Sequence, residues 1–315
     1  MNLDFQNSKI EKFLYIEWNS CARTGGGGVF HVRHFVQELV RFCLMENEGR
    51  AIIFSDRWVL NSRQHCPNII PFIDFRNLYN FNDTAGVCSN GKEIKVFFDK
   101  EREFQNSFAT SENVALLAKP RAFKQIKKNN PHQVSFPRRQ NIRQVFKDYN
   151  FVFWGNSWTS PSKSKLKTNL FDGPNQRLVN FSKQVIKNLG SDFYAVHLRM
   201  GDLAQIKQIV KNSGNPEFVA KAIRYKFPAN SKIYIMTDAP IKYLTRIIKA
   251  LPDYKIFHRG SFPIFKQLWR RNSFELFVCE TFIFNRAKLA LQNRKQASSQ
   301  RVISLQWLFH RRNRF

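Results

Sequence analysis

The residues best suited to chemistry lie in the run Phe193-Tyr-Ala-Val-His197-Leu-Arg199-Met-Gly201-Asp202. Its hydrophobic opening reads as a strand, and ligands of open α/β sheets sit outside the carboxyl ends of strands. An arginine at that place offers a diphosphate a planar fork of donors and keeps its charge at any working pH. Gly201 lets the backbone approach a ligand closely, while Asp202 can orient Arg199 or bond a neighbouring amide. Two plainer readings stand beside these: an Arg199–Asp202 ion pair, and His197 as a packed, hydrogen-bonded histidine. A second strand-like run, Ile233-Tyr-Ile-Met-Thr237-Asp238, also ends in polar residues. Thr237 and Asp238 can touch a ligand, cap the helix that begins near Pro240, or do both.

A third group lies near the N-terminus, where Thr24 is followed by Gly25, Gly26, Gly27 and Gly28. Four glycines can make a plain flexible turn. Between a strand and a helix, the amides of Gly26 and Gly27 can instead cradle an anion or shape the acceptor side of a site. His31, in the first turns of the following helix, titrates near neutrality and is a candidate general base for an acceptor hydroxyl. The alternative is a surface or packed histidine. The chain has no Asp-x-Asp triplet, and its histidines and cysteines do not fall at metal-ligand spacing. No metal site is expected.

The elements that must position these groups follow from hydrophobic period. Residues 13–18 read as a strand, the glycines as a loop, and 29–43 as a helix with Val32, Phe35, Val36, Leu39, Val40 and Cys43 at helical spacing. Strand, glycine loop and helix open a Rossmann-like unit. Residues 51–55 and 93–98 read as later strands, with an irregular Asn-, Asp- and Pro-containing stretch between them. Residues 150–154 read as a short strand and 158–175 as a loop. A second alternating pattern begins at Gln176: a helix to Leu189, the strand 193–198, a helix over 216–225, a strand over 232–236, a helix over 241–251, a short element at 254–257, and a long final helix over 274–291. Two such sets predict an α/β fold of two Rossmann-like halves. The boundary is drawn after residue 149, giving an N-terminal domain over 1–149 and a C-terminal domain over 150–315. The basic tail beyond Gln292 is expected to be partly disordered.

His197-x-Arg199-x-Gly201-Asp202 at the end of a hydrophobic strand resembles the HxRxGD signature of the protein O-fucosyltransferase-like and α1,6-fucosyltransferase-like enzymes. Three further segments are similar: the strand ending in Thr237-Asp238, the helix containing Glu275, Cys279 and Glu280, and more loosely the glycine cluster. The resemblance covers roughly residues 191–287, and residues 13–55 in outline. It implies a GT-B-like fold with the two halves facing a cleft, residues 1–149 as the acceptor-side domain and 150–315 as the nucleotide-sugar-binding domain. It further implies a GDP-sugar donor, GDP-fucose by default, with inversion at the anomeric carbon, and no metal or other cofactor. His197, Arg199, Gly201, Asp202, Thr237 and Asp238 would be donor-side residues. The family's Gly/Ser/Thr-rich loop after its last helix has no counterpart in Lys288–Lys295, where no Ser or Thr occurs.

Charge limits the partners. Lys and Arg number 51 against 23 Asp and Glu, a net +28, which draws a protein to polyanions. Residues 118–147 are basic and acid-free, and prolines at 120, 131 and 137 interrupt them. Such a stretch is a solvated face, or it meets an anionic membrane, an acidic glycan or nucleic acid. Nucleic acid is the less favoured partner, because no recognised RNA- or DNA-binding pattern is readable. The five cysteines form no CxxC pair, so a disulfide framework is not expected. Residues 1–11 lack an apolar signal core, and no apolar run reaches membrane-spanning length. The expected location is cytoplasmic, with peripheral membrane contact allowed. The leading expectation is a glycosyltransferase acting on a glycan or protein hydroxyl. The competing ones are a nucleic-acid-binding protein and a catalytically lapsed, glycan-binding transferase fold.

Overall fold

The structure is a computed structural model that describes residues 12–16, 29–46, 50–55, 58–59, 72–73, 75–99, 114–117, 134–136, 142–154, 168–200, 215–271, 273–293 and 301–305. These fall into two compact units, the first running to Asn175 and the second starting at Gln176.

The first unit runs β1 (Phe13–Ile16), α1 (Val29–Glu46), β2 (Ala51–Ser55), the short β3 (Trp58–Val59) and β4 (Phe72–Ile73), β5 (Tyr79–Phe81), β6 (Thr84–Val87), β7 (Glu93–Asp99), β8 (Val114–Leu117), β9 (Val134–Phe136), α2 (Ile142–Asp148), β10 (Phe151–Trp154) and β11 (Phe171–Pro174). Its main sheet has the order β6-β7-β2-β1-β10-β8-β9. Every pairing in it is parallel except β6 with β7. Every residue of β1 is buried, as in a parallel strand covered on both faces. β10, whose residues follow the sequence boundary drawn after 149, pairs with β1 on one side and β8 on the other. The stretch between β2 and β7, expected to be irregular, supplies β6 and β5. The latter pairs with β11 from the 158–175 segment, expected to be a loop. Aromatic packing explains that pairing: Phe75, Tyr79, Phe81 and Phe171 form one cluster with centroid separations from 4.7 to 6.2 Å.

The second unit contains α3 (Gln176–Leu189), β12 (Phe193–Leu198), α4 (Pro216–Lys226), β13 (Lys232–Thr237), α5 (Ile241–Lys249), β14 (Lys255–His258), α6 (Ile264–Arg271), α7 (Ser273–Phe284), β15 (Ala290–Gln292) and β16 (Val302–Ser304). In α3 the buried residues Leu178, Ser182, Val185 and Leu189 recur at three- and four-residue spacing. The helix stops at Gly190, whose φ of 84° suits glycine. Asn215 caps α4 by accepting from Glu217 N at 3.0 Å, and Pro216 fills the first helical turn. The sheet order is β14-β13-β12-β15-β16, all parallel. Tyr194, Val196 and Leu198 of β12 join Ile233 and Ile235 of β13, residues of α4 and α5, and Leu291 in one core. The opposite face meets α7, where the His197 ring lies 5.9 Å from Phe284 and 6.5 Å from Phe277.

One expectation fails at this end of the chain. The final helix was expected to reach Leu291, but α7 ends at Phe284 and Ala290–Gln292 pairs with Ala195–His197. The tail beyond Gln292, expected to be partly disordered, contributes an edge strand, Val302–Ser304, paired with Ala290–Gln292. Sheet completion around β12 outweighs the helical reading of a short apolar run, which periodicity alone cannot distinguish from a strand.

Candidate functional site at the strand ends of the second unit

Numbered along the chain, the strands of the second sheet lie in the order 3-2-1-4-5, so the winding direction reverses between β12 and β15. Such a switch point opens a crevice at the carboxyl ends of the strands, the usual ligand position in open α/β sheets. Arg199 is the residue that leaves β12 at this point.

Side chains from both neighbouring strands hold the backbone there. On the β13 side, Thr237 Oγ1 donates to Leu198 O at 2.7 Å and accepts from Ala239 N at 3.0 Å. Asp238 Oδ1 accepts from Met200 N at 2.5 Å. On the β15 side, Asn293 N donates to His197 O at 3.2 Å. The Asn293 carboxamide then accepts from Arg199 N at 3.1 Å and donates to Arg199 O at 2.8 Å. Asn293 is 1% exposed and Thr237 5% exposed, whereas Asp238 lies at the surface.

Beneath these strand ends lies a buried acid. Glu280 of α7 accepts a 2.9 Å hydrogen bond from Tyr234 OH. Burial pushes its carboxyl up to about 7, opposed by the positive charge of Arg259 and by the Tyr234 hydrogen bond, and reinforced by Asp238. Burial also raises the Cys279 thiol to about 12, so it is an inert core group at neutral pH.

The structure thus brings His197, Arg199, Thr237 and Asp238 together at the carboxyl ends of β12 and β13. Gly201 and Asp202 lie outside the described residues, as do Gly26 and Gly27. The backbone of His31 belongs to the first turn of α1, and its side chain is outside the described residues. Sequence reasoning missed Asn293, because its strand was read as part of a helix, and it drew no chemistry from the buried Glu280. The signal available for Asn293 was the polar Gln292-Asn293 pair directly after the apolar Leu289-Ala-Leu291 run. Among the described residues, no three His, Cys, Asp or Glu side chains gather as a metal site would need. No described helix is long and apolar enough to cross a membrane.

A mixed α/β protein with two parallel sheets, the second wound so that polar groups collect at its switch point, belongs to the class of Rossmann-like proteins. The solved structures to which the chain is similar include three of fucosyltransferases. They are POFUT1 in its apo form (TM-score 0.50, 12% identity, 91% of this chain and 92% of that one), POFUT1 in complex with GDP-fucose (0.52, 11%, 91% and 91%), and the fucosyltransferase NodZ from Bradyrhizobium (0.50, 12%, 91% and 90%). At these identities the likeness is one of fold. No protein-family profile matches the chain, and no curated protein matches it in sequence.

Proposed function

We propose that this chain is a glycosyltransferase that uses a GDP-sugar, GDP-fucose foremost, and that Arg199 binds the donor diphosphate. The observation that carries the reading is that Arg199 emerges at the switch point of an all-parallel sheet. The fold shared with fucosyltransferases, one of them in complex with GDP-fucose, supports the choice of donor.

In this reading the acceptor hydroxyl of a glycan or protein attacks the anomeric carbon. The bond from that carbon to the phosphate oxygen breaks on the opposite face, which inverts the configuration and releases GDP. Arg199, with the backbone at Gly201, stabilises the negative charge that grows on the diphosphate, and this needs no metal. His197, Asp202, Thr237 and Asp238 complete the donor side. The first unit takes the acceptor, with Gly26 and Gly27 shaping its site and His31 accepting the hydroxyl proton. The surplus positive charge favours approach of an anionic donor and of acidic glycan or membrane surfaces.

Calorimetric titration of the full chain with GDP, and separately with a random-sequence RNA duplex, tests the reading. Saturable GDP binding, followed by fucose transfer from GDP-fucose to an acceptor panel, is the expected outcome. RNA binding that persists at high salt with no response to GDP would overturn it. GDP binding with no transfer would favour a lapsed, glycan-binding transferase.

A further inference from the structure

We infer that Asn293 is the positioning residue for Arg199, a role that rests on Arg199 being the diphosphate ligand. Main-chain pairing between β12 and β15 covers Ala195–His197 against Ala290–Gln292, and its last contact is Asn293 N to His197 O. Beyond that the side chain of Asn293 bonds the main chain of Arg199. Its Oδ1 accepts from Arg199 N and its Nδ2 donates to Arg199 O. One carboxamide therefore satisfies both main-chain polar groups of Arg199. The two peptide planes flanking the Arg199 Cα, which aim its side chain, are thereby fixed from one side.

The same backbone is held from the other side by Thr237 at Leu198 O and Asp238 at Met200 N. Asn293 differs from both in gripping Arg199 itself, and unlike the exposed Asp238 it is almost wholly buried. The polar atoms of a side chain as buried as Asn293 are costly to leave unpaired. The residue type is demanding as well. Aspartate could accept but not donate, serine is too short to span both groups, and glutamine adds a methylene in a filled space. A ligand-binding arginine needs such support, because its geometry is set by the groups that lock its backbone and rotamer.

The test is a double-mutant cycle in the full chain, with GDP affinity measured by calorimetry and folding checked by thermal melting. Arg199→Ala should weaken GDP binding, and Asn293→Ala should weaken it by roughly tenfold to a hundredfold, the span of one charge-assisted hydrogen bond. The double variant should bind no more weakly than Arg199→Ala alone, because Asn293 acts through Arg199. Asn293→Ser, which keeps a polar group, is expected to show a smaller loss and guards against misfolding of the alanine variant. Losses that multiply in the double variant would overturn the inference, as would folded Asn293 variants that bind GDP like the parent while Arg199→Ala does not. If the parent protein fails to bind GDP, or Arg199→Ala binds it normally, the reading of Arg199 falls and the role of Asn293 with it.

Discussion

Tyr234 donates a 2.9 Å hydrogen bond to Oε1 of Glu280, joining the middle of β13 to α7 inside the second unit. Tyr234 is fully buried and Glu280 only 4% exposed. Burial pushes the carboxyl from its ordinary 4.5 up to about 7 and raises the tyrosine well above its usual value, so the phenol stays protonated. The folded protein therefore holds a proton on Glu280 that the unfolded chain gives up.

The sign of the pH dependence follows. Stability from this proton is complete below about 4.5 and is lost progressively as pH rises to and through about 7. At about 1.4 kcal/mol per pH unit, the loss is on the order of 3 kcal/mol. Glu280→Gln keeps an acceptor for Tyr234 and carries no charge. Its melting temperature should exceed that of the parent above pH 7, and the gap should close toward pH 4.5. Parallel melting curves for the two proteins across that range would contradict the assignment.

Arg50 organises the first unit. Its side chain is 1% exposed and donates to Phe13 O, Asn150 O, Phe146 O and Tyr149 O at 2.5–3.1 Å. The guanidinium also lies 4.8 Å from the Phe146 ring centroid. Arg50→Ala removes this donor from the buried carbonyls of Phe13 and Phe146, so a stability loss of about 2–5 kcal/mol is expected. Denaturant melts of the parent, Arg50→Ala and Arg50→Lys should rank in that sense, with lysine intermediate. GDP affinity of the folded fraction should not change.

Much of the second unit is legible in the sequence. Gln176–Leu189 has the period of an amphipathic helix, and Phe193–Leu198 and Lys232–Thr237 are buried strands bounded by turn residues. These elements bring Arg199 and Thr237-Asp238 to the carboxyl ends of β12 and β13, as their shared strand-end positions suggest. What stays hidden is contributed by distant pairing. Residues 290–292 are apolar enough to extend a helix, and only the open edge of β12 makes them a strand. That strand delivers Asn293 to Arg199 from 94 residues away. The β5–β11 pair is hidden for the same reason, since its aromatic contacts join residues far apart in sequence.

The basic stretch from Arg121 to Lys147 should govern attraction to polyanions and leave donor binding alone. Lys124, Lys127, Lys128, Arg138 and Arg139 lie outside the described residues. Exposed charges are screened beyond about 8–10 Å near physiological salt. Retention on anionic vesicles or acidic glycans should fall steeply as salt increases. Replacing those five residues with Gln should weaken retention while GDP affinity stays at the parental value. Sequence-selective RNA binding that survives high salt would instead signal base contacts.

Sugar transfer, once an acceptor is found, should survive EDTA, since charge on the leaving diphosphate is assigned to Arg199 and backbone amides. Rates measured with and without chelator, then with added manganese, check this. Activity lost to EDTA and restored by manganese would require a metal in the mechanism.

The central claim is that Arg199 holds the donor diphosphate. Thermal melting of the parent, Arg199→Ala and Arg199→Lys with increasing GDP tests it most directly. A bound ligand raises the melting temperature with the logarithm of the ratio of its concentration to the dissociation constant. GDP should stabilise the parent and leave Arg199→Ala unmoved. Arg199→Lys should recover only part of the shift, because an ammonium cannot reproduce the guanidinium fork. An Arg199→Ala protein stabilised by GDP as strongly as the parent would contradict the account and move the donor site elsewhere.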